Sequence, residues 1–324
     1  MRGFLRPAAG LVCLFAMAVT GCSADTSRTA APAGTAYAPY VSATEAAATD
    51  GAGSPSVYNL AFVISGGSGC TPKWNGTTAI GSPAVRSRIA GLKRDGRSVR
   101  VSFGGASGRE LATTCTGAAE LAAAYGAALD AAGSTRADFD IEGGTLTDSA
   151  SVALRSRAIA LLQKERPGLE VSFTLPVMPS GLDAGGLALL DSANTYDVQV
   201  STVNIMTMNY GESYDGDMGD YALTSAKATH AQLRKVFGLS DAGAWGGMAL
   251  TSMIGVNDVA GETLTLADAA DVRAFAERKG IAWVSMWSTF RDVPCRSGTA
   301  DDDAATDCSG VAQRSGAFGK AFAG

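Results

Sequence analysis

The chain has 324 residues, a formal net charge of −5 and 46% hydrophobic residues, with 40 glycines and 7% aromatics. That length holds one large domain with a sizeable core, and barrels of about 250 residues commonly form a single unit. No basic run exceeds a pair such as Lys93-Arg94, so nucleic acid is not an expected partner, because phosphate contacts need clustered Lys and Arg.

Taken in order, the chain opens with basic Arg2 and Arg6 and a short apolar stretch from Ala8 to Val19, too short to span a bilayer comfortably. Val19-Thr20-Gly21-Cys22 resembles a bacterial lipoprotein signal, in which the Cys is lipidated; an ordinary secretory signal containing a Cys is the alternative. The expected organisation is a signal peptide over 1–21, an Ala/Ser/Thr-rich tether over 22–36 and a globular domain over 37–324. The expected location is exported, at the cell surface through Cys22 or secreted, with membrane contact only through the lipid.

With Cys13 leaving in the signal and Cys22 assigned to lipid, Cys70, Cys115, Cys295 and Cys308 remain. An even count in an exported protein reads as disulfides, and four cysteines allow three pairings. The preferred pairing is Cys70 with Cys115, tying two loops, and Cys295 with Cys308, closing a short ring. A metal is not expected: there is no CxxC spacing and the only histidine is His230. Nor is a cofactor. Asp301 to Asp303, inside the ring, reads as a solvated acidic loop.

From residue 37 a strand-then-helix rhythm sets in. Strands are predicted at Tyr37–Val41, Val57–Ser65, Ser98–Phe103, the acidic stretch Ala137–Glu142, Leu169–Leu175, Val203–Tyr210, Met248–Ile254 and Ile281–Trp287. Helical spacing or stop signals place helices at Val85–Arg94, around Leu121–Leu129, and at Ser149–Glu165, Leu182–Asn194, Thr224–Phe237 and Leu266–Lys279. Strands alternating with helices over this length predict an α/β fold, a single (β/α)8 TIM barrel. An open doubly wound sheet is the runner-up, and it lacks its glycine fingerprint at Gly104-Gly105-Ala106-Ser107-Gly108.

The stretch Asp138-Phe139-Asp140-Ile141-Glu142 spaces its acids at i, i+2 and i+4. On a strand all three share one face, with neighbours roughly 7 Å apart. Crowded carboxylates raise one another's pKa toward the range a general acid needs. A solvated edge strand or a calcium loop is the bland reading; the Phe/Ile interleave argues against a loop. Glu142, Tyr210 and Trp287 all fall at C-terminal strand ends, where barrels carry their chemistry.

Ser102-Phe103-Gly104-Gly105, Asp138-Phe139-Asp140-Ile141-Glu142, Met208-Asn209-Tyr210 and Trp287, in that order, resemble the motifs of glycoside hydrolase family 18. The resemblance is to the bacterial chitinase-type catalytic domain and covers residue 37 to the C-terminus. It implies substrate-assisted retaining hydrolysis. Glu142 would be the general acid/base and Asp140 would bind and stabilise the substrate acetamido group. Asp138 would hold Asp140, and Tyr210 would give its hydroxyl to the acetamido oxygen. Trp287 would floor the sugar site, with Met208 as its wall and Gly104 and Gly105 beside it. Trp74 would stack on a neighbouring sugar or anchor its loop, while Trp245 and Trp283 read as packing residues.

Two departures stand out: Thr135-Arg136-Ala137 replaces the family's Asp-Gly before the acids, and Gly211 follows Tyr210 where Asp or Asn is common. About a dozen residues separate the seventh strand from its helix, an ordinary loop, where processive members carry an inserted domain. An endo-acting chitinase on chitin or another N-acetylglucosamine-containing glycan, working as a monomer, is therefore expected. The alternatives are an endo-β-N-acetylglucosaminidase acting on N-glycans and a non-catalytic chitin- or glycan-binding lipoprotein.

Overall fold

The computed structural model describes residues 34–296 and 307–324. The signal peptide, Cys22 and Asp301 to Asp303 lie outside the described residues, whose compact unit begins at Gly34.

The first barrel strand is interrupted at residues 38–39. Its halves are Ala36–Tyr37 and Tyr40–Ser42. The others are Val57–Ser65, Ser98–Gly104, Arg136–Asp140, Glu170–Pro176, Thr202–Met206, Met248–Met253 and Trp283–Trp287. Each runs parallel to the next. The broken first strand joins the two edges of the sheet: Ala36–Tyr37 pairs with Trp283–Val284, and Tyr40–Ser42 pairs with Asn59–Ala61. This is the predicted (β/α)8 barrel.

Strand parity sorts the side chains, since alternate residues face opposite sides of the sheet. Outward-facing Phe103, Phe139 and Phe173 are buried under the helices. Phe139 lies 5.3 Å from Phe103 and 4.9 Å from Tyr125, centroid to centroid. The inward-facing row is polar: Ser102, Asp138, Ser172, Thr174, Asn204 and Thr251, all nearly free of solvent contact. Such groups are tolerated inside because they bond to one another, as in Asn204 Nδ2 to Thr174 Oγ1 at 3.0 Å and Thr251 Oγ1 to Asn204 Oδ1 at 2.9 Å. Below this row Arg100 closes the barrel, its guanidinium 3.9 Å from the Trp283 ring centre and bonded to Asn59 Oδ1 at 2.7 Å.

The helices begin and end where short-range chemistry directs. Asp148 caps Ser149–Glu165 by accepting from the Ala150 and Ser151 amides. A Thr265/Asp268 capping box opens Leu266–Lys279, and Gly280 closes it at φ 71°. The helix before the acidic strand is Ala118–Ala132, and the helix expected at Thr224 starts earlier, at Met218. Helices Asp241–Gly246 and Ala317–Ala323 are additional to the expected set.

Two strands stop short of their predicted ends, with consequences for the site. The acidic strand ends at Asp140, although the Ile141 amide still bonds to Thr174 O at 3.0 Å. The sixth strand, expected to reach Tyr210, ends at Met206, and Asn209 then turns at φ 54°. The cysteines pair as Cys70–Cys115 and Cys295–Cys308. The first bond joins the loops after the second and third strands.

Candidate active site

A groove of about 680 Å³ opens at the C-terminal end of the barrel, floored by Asp140 and Glu142. Asp138 lies beneath it. Register explains its surroundings: Ser102 and Ser172 stand beside Asp138 on the flanking strands, and Thr174 stands beside Asp140. Four hydroxyls therefore donate to the Asp138 carboxylate. Oδ2 accepts from Ser102 Oγ at 2.6 Å and Tyr40 OH at 3.0 Å; Oδ1 accepts from Ser172 Oγ at 2.7 Å and Thr174 Oγ1 at 2.8 Å. Asp138 is thus fully occupied and immobile.

Asp140 is the opposite case. It is only 4% exposed, and no hydrogen-bond partner reaches its Oδ1. Burial, then the neighbouring Glu142 and Asp138 charges, hold its carboxyl well above the usual aspartate range. Glu142 is half-buried; burial raises its pKa, a hydrogen bond from Asp140 lowers it, and the Asp258 charge raises it again. The two carboxyls therefore titrate as a pair rather than as single residues, with the pKa of both raised.

Gly104 and Gly105 matter beside the groove through the absence of side chains. At φ 101°, a Cβ on Gly104 would stand 2.1 Å from Asp140 O; on Gly105 it would stand 2.9 Å from the Phe62 ring. These glycines let the third strand close on Asp140, and neither lines the groove. Trp287 and Met208 do line it. Trp287 stacks on Phe62 at 5.5 Å and meets Phe290 edge-on at 5.9 Å, forming an aromatic wall.

Two further expected site residues stand elsewhere. Tyr210 is 5% exposed and outside the groove lining. Its ring packs on Tyr214 and Tyr221, and its hydroxyl accepts from Ser225 Oγ at 3.2 Å. In an unbroken strand Met206, Met208 and Tyr210 would share a face. The left-handed turn at Asn209 ends that alternation, and Glu262 holds the new course by accepting from the Gly211 amide at 2.8 Å. Trp74 is fully buried, with its Nε1 donating to Ile80 O at 3.4 Å. It anchors its loop and touches no sugar site.

The groove also holds residues that sequence reading missed: Tyr40, Phe62, Thr174, Asn209, Asp258 and Phe290. Asn209 Nδ2 donates to Asp258 Oδ2 at 3.2 Å. Parity on the fifth strand flags Ser172 and Thr174 as inward-facing polar residues; nothing local flags Asp258, on the loop after the seventh strand, or Phe290, in the short 3-10 helix Thr289–Arg291. Among the described residues, no group of three or more His, Cys, Asp or Glu side chains is placed to hold a metal ion.

The chain is similar to known proteins in sequence and in fold. A probable bifunctional chitinase/lysozyme of Escherichia coli (strain K12) is 34% identical over 277 residues, 80% of this chain. Endochitinase 11 of Metarhizium anisopliae is 33% identical over 252 residues, 73% of this chain. The chain spans only 31% and 48% of the lengths of these two relatives. Among solved structures, catalytic-site mutants of active domain 2 of a Pyrococcus furiosus chitinase, complexed with chito-oligosaccharides, superpose with a TM-score of 0.78 at 28% identity. That match covers 90% of this chain and 96% of theirs. No protein-family model matches the chain. A closed parallel barrel, the acidic row under its groove and these relatives together place the chain in glycoside hydrolase family 18, with a chitinase-type catalytic domain.

Proposed function

We propose that this protein is an endo-acting chitinase that cleaves β-1,4 bonds between N-acetylglucosamine units with retention of configuration. The observation that carries the reading is the Asp140–Glu142 pair: a buried and a half-buried carboxyl, both with raised pKa, at the floor of an open groove. Glu142 protonates the departing glycosidic oxygen. The acetamido carbonyl of the bound sugar attacks the anomeric carbon, giving an oxazolinium-like intermediate. Asp140 Oδ1, which lacks a partner, accepts the acetamido N–H and stabilises the developing positive charge. Asp138, clamped by its four hydroxyls, supplies a fixed negative charge beneath Asp140. Glu142 then takes a proton from water, which opens the intermediate.

Trp287 gives the sugar an apolar wall, and Phe62 and Phe290 extend that contact. With Tyr210 turned inward, Asn209, Met208 and Asp258 stand on that side of the groove. The endo mode is supported by the chain after the seventh strand. It forms only a small hairpin, Gly255–Val256 against Thr263–Leu264, and builds no tunnel wall. Export with a lipid on Cys22 is part of this proposal and is supported by the two disulfides, which belong to oxidising compartments.

The stereochemical test is proton NMR of an N-acetylglucosamine hexamer during its first minutes of digestion. The proposal expects β-anomeric products of mixed length. Initial α-anomers would contradict retention, and exclusive early release of dimer would contradict endo cleavage. Replacing Cys22 by Ala should move the protein from the membrane fraction to the soluble one; an unchanged distribution would remove the anchor from the proposal.

A further inference from the structure

The loops after the sixth and seventh strands meet twice. On the groove side, Asn209 Nδ2 donates to Asp258 Oδ2 at 3.2 Å, and both side chains are exposed. An exposed bond of this kind holds little by itself, because water competes for both partners. Beneath it, Glu262 Oε1 accepts from the Gly211 amide at 2.8 Å. Glu262 is 1% exposed and does not line the groove. Its other oxygen, Oε2, is buried without a hydrogen-bond partner. Burial raises the pKa of this carboxyl, and the Gly211, Asn209 and Tyr210 amides draw it back down. A carboxylate is costly in such a place, and its one direct side-chain bond goes to the turn of residues 209–211.

That turn needs a hold. Asn209 is left-handed at φ 54°, a conformation strained for a residue with a Cβ. Glu262 itself is firmly fixed. It closes the turn of residues 257–262, where the Asn257 amide bonds to Glu262 O at 3.0 Å and the Glu262 amide to Val259 O at 3.2 Å. Asn257 Nδ2 ties that turn to Met253 O at 3.0 Å and Gly255 O at 2.9 Å. The buried Arg291 holds the same segment, donating to Ile254 O at 2.8 Å and to Val256 O at 2.6 Å. Asp258 rides on the turn that Glu262 closes. We propose that Glu262 is a positioning residue: its carboxylate fastens the Asn209 turn to the hairpin, and so sets the Asn209–Asp258 pair as one fixed piece of the groove wall. What that wall does for a sugar rests on the hydrolase reading above, while the latch stands on the bonds of Glu262 alone.

The test measures binding of the N-acetylglucosamine hexamer by titration calorimetry on the Glu142→Gln background, and kcat/KM for its hydrolysis without that substitution. Glu262→Met fills the same space but cannot accept from Gly211, whereas Glu262→Gln keeps an acceptor. The proposal expects Glu262→Met to weaken binding and to lower kcat/KM by about tenfold each, per folded molecule. Glu262→Gln should stay within about threefold of the wild type. Asn209→Gly adopts the left-handed turn unaided and has no side chain to position. It should lose about tenfold alone, and no more than that when combined with Glu262→Met. Asn209 is an exposed site, so this variant keeps the proposal open to refutation even where Glu262→Met folds poorly. Wild-type constants in Asn209→Gly or in folded Glu262→Met would overturn the proposal. So would losses that multiply to about a hundredfold in the double variant, or Glu262→Gln as damaging as Glu262→Met. Failure of the hydrolase reading shows separately, as hexamer binding without reducing ends from the wild-type protein.

Discussion

Glu110 and Asp140 are buried to almost the same extent, at 5% and 4% exposure, and sit on neighbouring barrel segments. Glu110 is satisfied on all sides. Its carboxylate pairs with Arg155 at 2.8 Å and accepts from the Ala112 amide at 2.9 Å and the Tyr125 hydroxyl at 3.1 Å. Asp140 has no cation bonded to it, a like-charged neighbour on either side and one oxygen without a partner. A buried carboxylate that is fully bonded serves the fold, because every stabilising contact is already used. One left open toward a groove serves a ligand, and burial among like charges raises its pKa.

Substitutions that exchange these two roles are the way to break the comparison. Asp140→Asn should lower kcat by about 10²–10³-fold without lowering thermal stability. The sign follows from its raised pKa. Asp140 contributes its full stability below about pH 4, the unfolded value, and that contribution is lost as pH rises through the folded value. The Asn variant should therefore gain on the wild type in Tm as pH rises above about 4; a variant that loses Tm across that range would contradict this account. Glu110→Ala should do the reverse. Leaving Arg155 buried without its carboxylate should cost about 3–5 kcal/mol in denaturant unfolding, with activity per folded molecule reduced far less than in Asp140→Asn.

Smaller effects sharpen the contrast around the groove. Tyr210→Phe removes a hydroxyl that meets Ser225 rather than substrate, so kcat/KM should change by less than about threefold and stability by about 1 kcal/mol. A hundredfold loss of kcat would show that Tyr210 reaches the reacting sugar. Asp258→Asn removes a charge that raises the Glu142 pKa, so the basic limb of the kcat/KM profile should move to lower pH. An unmoved limb would uncouple the two.

The sequence carried the barrel because strand parity and helix caps are local: Asp148, the Thr265/Asp268 box and Gly280 act within a few residues of where they stand. The acidic row was legible for the same reason. Its hydroxyl cradle was not, because Ser102, Ser172, Thr174 and Tyr40 meet at Asp138 only through the register of three other strands. Tyr210 was misplaced by extending an alternating pattern through Asn209, whose left-handed turn leaves little trace in sequence. Trp74 was a choice between loop anchor and sugar platform, and burial selects the anchor.

The central claim is that Glu142 is the proton donor of a chitin hydrolase. Release of reducing ends from colloidal chitin and from the N-acetylglucosamine hexamer, in wild type against Glu142→Gln of matched Tm, tests it most directly. The account predicts activity on both substrates in the wild type and a loss of about 10²–10⁴-fold in the variant, with hexamer binding retained. Equal activity in the two proteins would contradict it, and so would binding of the hexamer by both without hydrolysis by either.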